Sequence, residues 1–169
     1  MIPQKIEKAI NKQINKELFS EYLYLSMATW FAAEGLDGFE NFFIVQAQEE
    51  RFHAMKFYKF IKERGGRVIL KKLEDPKTDF ASIEEIFKLA FDHEIFISKS
   101  INEIMDLAIE EKDHATRSFL NWFVDEQVEE EDTMQSILDK LKLIGGKGQG
   151  ILMMDSEMAK RTFTPTAAE

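Results

Sequence analysis

Along four stretches of this chain, roughly residues 4–34, 38–64, 83–111 and 115–144, apolar positions recur at spacings of three and four rather than two. That period places them on one face of a helix. Prolines occur only at Pro3, Pro76 and Pro165, and glycines cluster at 35 and 38, 65 and 66, and 145–150. Punctuation this sparse leaves each stretch uninterrupted, so the pattern predicts four long helices. Pro3 suits a first helical turn, Asp37 with Glu40 and Ser82 with Glu85 have capping-box spacing, and Asp113 is placed to cap the fourth helix. Gly65 and Gly145 are natural C-terminal stops. The links near Gly35–Asp37 and at Lys112–Asp113 are short enough to force antiparallel neighbours. Residues 66–82 differ: extended they reach on the order of 50 Å, enough to run back along a helix of about 40 Å. The expected fold is all-α, a four-helix bundle with one long crossover over residues 1–145 that carries the chemistry. Residues 146–169 then form a glycine-rich linker, a short fifth helix over Ile151–Arg161 and a frayed tail.

Each inward stripe is broken by polar residues near its middle. The first reads Ile10, Ile14, Glu17, Glu21, Tyr24, Ala28, Phe31, and the second Phe39, Phe43, Gln46, Glu50, His53, Phe57, Phe60. The third reads Ile83, Phe87, Ala90, Glu94, Ile97, Ile101, Ile104, and the fourth Leu120, Phe123, Gln127, Glu130, Met134, Ile137, Leu141. A single glutamate in such a seam is explained by a shifted register or by snorkelling to water, since an unpaired buried carboxylate costs several kcal/mol. Here the polar positions repeat. Glu94, Gln127 and Glu130 each lie 77 residues after Glu17, Glu50 and His53, so a helical hairpin is duplicated and its clearest shared feature is a polar constellation.

Two cations account for that constellation. Residues at i and i+3 share a helix face, so Glu50 with His53 can hold one ion while Glu50 bridges to a second, with Glu17 and Glu94 supplying carboxylates from facing helices. Four carboxylates, Glu17, Glu50, Glu94 and Glu130, then balance two divalent ions, with His53 and Gln127 neutral. An oxygen-rich set with one imidazole suits iron or manganese, although zinc or copper would bind by raw affinity.

Composition narrows the alternatives. The chain has 169 residues, 44% hydrophobic and 31% charged, which is enough for one ordinary core. A net charge of −9 with no basic patch argues against nucleic acid and anionic membranes as partners. The absence of cysteine excludes a disulfide framework, an iron–sulfur cluster and a thiolate zinc site, and it fits a reducing cytoplasm. The polar start and the shortness of the most apolar run, Tyr22–Ala33, predict neither export nor membrane insertion.

The blocks ELFSEYLYLSMATWF around Glu17 and Tyr24, QAQEERFHAMKFY around Glu50 and His53, the HE pair at Glu94, and EEKDHATRSFLNWFVDEQVEEE around Gln127 and Glu130 resemble the non-heme bacterial and archaeal ferritins. The short fifth helix extends the likeness along nearly the whole chain. The resemblance implies a ferroxidase centre with Glu17, Glu50 and His53 on the first iron and Glu50, Glu94 and Glu130 on the second, and Gln127 near the oxygen-binding side. It implies a third iron position at Glu49, Glu126 and Glu129, and a hollow shell of twenty-four subunits with the fifth helices at its four-fold axes. Two Fe(II) ions would be oxidised by dioxygen or peroxide and stored as a ferric oxo-hydroxide mineral. Bacterioferritins differ by a second ExxH where this chain has Gln127 to Glu130, and by a heme-ligating Met where it has Arg51, so heme is not expected. Animal ferritins line their three-fold channels with two acids at places held here by Arg117 and Leu120.

The remaining candidates read more plainly. Tyr24 and Trp122 can hydrogen-bond or pass an electron toward the centre, with packing an equal account of Trp122. Met153, Met154 and Met158 suit apolar packing better than a soft-metal patch. His93 and His114 read as surface or interface histidines. An oxygenase or peroxidase of the same fold would favour the second ExxH and, for an oxygenase, an organic pocket. A metal-free helical interaction protein would leave the buried carboxylates without a counter-charge.

Overall fold

The computed structural model describes residues 1–145 and 148–165. Its elements are α1 (Gln4–Glu34), α2 (Asp37–Glu63), α3 (Ile83–Glu110), α4 (His114–Ile144) and α5 (Gln149–Met158), with no strand among the described residues. α1 pairs with α2 and α3 with α4, and α1 also packs on α3, while α5 lies against α2 and α4. The expected bundle forms, and its helix bounds fall within a residue or two of the apolar periodicity. The fifth helix is the exception: it starts at Gln149, earlier than Ile151, and ends at Met158, before Arg161. The expected linker and tail lie partly outside the described residues, at 146–147 and 166–169.

The crossover runs the length of the bundle. At one end Arg64 bonds the Asp113 carboxylate at the start of α4, at 3.0 Å; at the other Phe80 packs on Trp30 near the end of α1. Irregular backbone needs partners, and α1 supplies them from one flank. Glu7 accepts from the Arg67 N–H, Asn11 accepts from the Ile69 N–H and donates to the Arg67 carbonyl, and Asn15 accepts from the Lys71 N–H.

Caps are less local than the spacing predicts. Ser82 accepts from the Glu85 N–H, but the Glu85 carboxylate reaches Ala81 rather than closing the box on Ser82. Asp37 does not cap α2; Leu36 holds that position, and the free N–H groups of Gly38 and Phe39 donate to the Asp155 carboxylate of α5 at 2.9 and 3.0 Å. That docking is why residue 38 is glycine: a Cβ there would sit 1.7 Å from the Asp155 carbonyl oxygen. Asp113 precedes α4 but spends its carboxylate on Arg64 and the Thr116 hydroxyl.

The core has two apolar parts. One gathers Phe31, Phe39, Phe43, Phe87 and Met134, with Ile151 and Met154 of α5; the other gathers Ile6, Ile10, Phe57, Ile61, Ile101 and Leu120. Between them lies a belt of buried polar residues from all four long helices.

Candidate metal centre

The belt contains Glu17, Gln46, Glu50, His53, Glu94, Gln127 and Glu130, none more than 5% exposed. Each sits mid-helix, so its backbone is fixed by the helical ladder and its side chain by the packed rows above and below. One ligand atom each from Glu17, Glu50 and His53 lies within 4.8 Å of the others, and His53, Glu126 and Glu130 form a second such group. His53 joins the two, with Nδ1 3.8 Å from Glu50 and Nε2 3.8 Å from Glu126. Glu94 faces them across the belt, accepting from the Tyr24 phenol and from Gln127 Nε2 at 3.1 Å. Gln46 Nε2 donates to Glu130 at 2.9 Å.

Electrostatics show what the belt lacks. Burial raises Glu17 well above the usual carboxylate range, reinforced by the charge of Glu50. Burial and then Glu94 push Glu50 up to about 7, against the pull of His53. Burial and then Glu130 push Glu94 up to about 8. Burial opposes a charge on His53, but Glu126 and Glu50 outweigh it and hold the imidazole well above its ordinary value. Tyr24 is raised by burial and by Glu94, so its phenol keeps its proton. Carboxylates repelling one another in a dry layer call for positive charge. Glu17 Oε2 and Glu50 Oε2 are buried without any hydrogen-bond donor, open oxygens where a hard cation would sit.

The other expected residues are less central. Glu126 reaches the centre through His53, whereas Glu49 is drawn outward by Arg161 Nη2 at 2.6 Å, and Glu129 is exposed. Glu21 does not belong to the inward stripe; it lies at its edge and pairs with Arg51 at 3.0 Å. His93 is half-buried rather than on the open surface: its Nε2 lies 2.7 Å from Ser20 Oγ, its ring meets Tyr24 edge-on, and burial lowers its pKa to about 4. His114 is exposed. Trp122 packs edge-on against His53 at 5.5 Å, with Lys56 over its face. Met154 is buried and Met158, one turn on, packs against the same apolar cluster, whereas Met153 is exposed. Arg117 is exposed, whereas Leu120 is fully buried in the core of its own subunit.

Sequence reasoning missed Gln13. It is fully buried, donates to Glu17 at 2.8 Å and accepts from Ser100, whose hydroxyl also accepts from Lys16. One helical turn before Glu17 on the same face, it could have been read as the support a buried ligand needs.

Comparison with known proteins agrees with this architecture. Residues 7–144 match the model of the ferritin-like domain. The bacterial non-heme ferritin of Staphylococcus epidermidis is 42% identical over 163 residues, covering 96% of this chain and 98% of that protein. That of Staphylococcus aureus is 39% identical over the same shares. Among solved structures, an open-pore ferritin from the hyperthermophilic archaeon Archaeoglobus fulgidus superposes with a TM-score of 0.94 at 46% identity, over 96% of this chain and all of that one. A closed form of that ferritin, engineered by mutagenesis, gives 0.95 at 46% identity, over 97% and 100%. With matching sequence, fold and a polar belt across the bundle, the chain belongs to the ferritin family.

Proposed function

We propose that this protein stores iron by oxidising Fe(II) at a pair of sites within each subunit, with Glu17, Glu50 and His53 receiving one ion and Glu50, Glu94 and Glu130 the other. Gln127 hydrogen-bonds Glu94 and stands beside the oxidant, and Tyr24 holds the outer side of Glu94. The observation that carries this reading is the pair of buried, donor-free oxygens on Glu17 and Glu50 beside the His53 ring. Iron is the substrate. Two Fe(II) ions give up one electron each, reducing dioxygen to peroxide or peroxide to water, and one shared bridge makes the two-electron step intramolecular. Four carboxylates balance two Fe(II) but not two Fe(III), so the ferric product needs oxide or hydroxide and is driven outward past Glu126, Glu49 and Glu129, the third position. Outside the bundle it would mineralise in a cytoplasmic shell of twenty-four subunits, in which residues 1–145 carry the chemistry and 146–169 serve assembly.

Light scattering of the purified protein, paired with aerobic Fe(II) oxidation followed by absorbance, tests both halves. A particle of about half a megadalton, by the arithmetic of twenty-four chains of 19.7 kDa, should lose its fast phase in a Glu50→Ala, His53→Ala variant. A monomer or dimer that still needs those residues would move the function to a small diiron peroxidase or oxygenase. A variant as fast as the parent would remove the site assignment.

A further inference from the structure

Beyond α5 the chain turns back along α2. Asn41 donates to the carbonyls of Met158 and Arg161 at 3.1 and 2.9 Å, and Phe163 meets the Phe52 ring edge-on. Between these two anchors the Arg161 guanidinium lies over the Phe42 ring, 4.4 Å from its centroid, and reaches Glu49 at 2.6 Å. Phe52 in turn packs against His53 and Trp122, so Phe163 brings the strap to the flank of the paired centre.

We propose that Arg161 is a positioning residue for the outer cation position, occupying on Glu49 the place of an ion and so keeping that position weak. The inference rests on the reading above, in which Glu49 and Glu126 receive iron leaving the paired centre. Two features bear on this. The contact uses one arm of the guanidinium, with Nη1 buried and without a hydrogen-bond partner, so a single charged bond rather than a bidentate fork holds Glu49 and a cation has that one bond to displace. Glu49 also stands in the fields of Glu130, His53 and Glu126, so the guanidinium faces the same electrostatic space an outgoing cation must cross. An ion arriving at Glu49 has to displace Arg161 and meets its charge, and an ion released toward the mineral leaves the guanidinium free to return. A position that is weak by construction passes iron on rather than retaining it.

Zn(II) is a redox-inert probe for the test, titrated calorimetrically into the assembled, metal-stripped protein. Three binding events per subunit are expected, the weakest at the outer position. Arg161→Gln should tighten the weakest event by roughly tenfold or more, because a partly buried like charge within a few ångströms is removed, and leave the other two within about twofold. Arg161→Lys, which keeps the charge, should recover most of the weakness. Asn41→Ala, which loosens the strap with Arg161 intact, should shift the same event in the same direction and serves if the Arg161 variants fail to fold. If the parent shows two events, a third appearing in Arg161→Gln supports the proposal, and two in both overturns it. Glu49→Gln should abolish the weakest event in either background. If Glu49→Gln abolishes it while Arg161→Gln leaves it unchanged, Arg161 only ties down the strap and the proposal falls with the outer position intact. If Glu49→Gln changes nothing, the outer position itself is wrong and the proposal falls with it.

Discussion

Loading the belt with divalent cations at neutral pH should expel protons. In the metal-free protein Glu50 is raised to about 7 and Glu94 to about 8, and Glu17 and His53 are also held above their ordinary values. At pH 7 Glu50 is therefore about half protonated and Glu94 mostly so, with Glu17 and His53 adding to the store. Cation ligation needs ionised carboxylates and a neutral imidazole, so about one to three protons should leave each subunit. The sign for stability follows from the same shifts. Groups whose folded pKa is raised bind more protons folded than unfolded, so their contribution is complete below the unfolded values, about 4.5 for carboxylates and 6.5 for imidazole, and is lost as pH rises through 7 and 8. One excess proton corresponds to about 1.4 kcal/mol per pH unit, and two to about 3 kcal/mol, or several degrees in the unfolding midpoint for a chain of this size. Calorimetric Zn(II) titration in two buffers of different ionisation enthalpy measures the protons. Scanning calorimetry from pH 6 to 8.5, with and without Zn(II), measures the slope, which bound metal should flatten. Proton release indistinguishable from zero, with a pH-independent midpoint in the metal-free protein, would refute the reasoning, because the carboxylates would then be ionised and stabilised by something other than protons.

Gln13→Leu removes the donor on Glu17 and should weaken the first cation event by roughly 10- to 100-fold, as loss of a ligand's support commonly does; an unchanged titration would mean the ion alone orients Glu17. Tyr24→Phe leaves Glu94 with Gln127 as its remaining side-chain donor and should slow the fast phase of Fe(II) oxidation in stopped flow by roughly tenfold at unchanged Zn(II) stoichiometry, the scale of one charge-assisted bond. An unaltered rate would reduce Tyr24 to packing. Gly38→Ala drives a methyl into the Asp155 backbone and breaks two bonds to its carboxylate, each worth about 1.5–3 kcal/mol, so α5 should be cut by protease far sooner than in the parent. Equal resistance would show that α5 is held by its apolar contacts alone.

The bundle and its buried polar belt were legible for one reason: both are written at helical spacing. Glu17, Glu50, His53, Glu94, Gln127 and Glu130 occupy seam positions, and a seam residue in a four-helix bundle has only the interior to face. Edge positions lack that constraint. Glu21 shares the spacing but meets Arg51 at the flank, and no count of threes and fours separates edge from centre. Contacts between distant segments were silent for a different reason. The cap of α2 comes from Asp155, 117 residues after Gly38, and local capping rules could only nominate Asp37. Nothing local marks Asn11 and Asn15 as partners of the crossover, and Arg161 reads as the end of the fifth helix, although it lies beyond Met158 and turns back to Glu49.

The duplication stops at the candidate ligands. Gln13 corresponds at the 77-residue offset to Ala90, Tyr24 to Ile101 and Gln46 to Phe123, so none of the three supporting residues has a polar counterpart in the other half. The consequence is two unequal places for a cation. On the Glu94 and Glu130 side the carboxylates already accept from Tyr24, Gln127 and Gln46, and a cation arriving there must share oxygens with donors. On the Glu17 and Glu50 side Gln13 holds one Glu17 oxygen, but the other, and one oxygen of Glu50, have no hydrogen-bond partner and the His53 imidazole stands close by, so a cation there would give these groups a counter-charge. That side, where Gln13 is the one side-chain donor, is therefore the one that most calls for positive charge, and a cation there would offset the repulsion of Glu50 on Glu17. A repeated hairpin supplies the candidate ligands, and its unrepeated hydrogen bonds predict that the Glu17 and Glu50 side fills first.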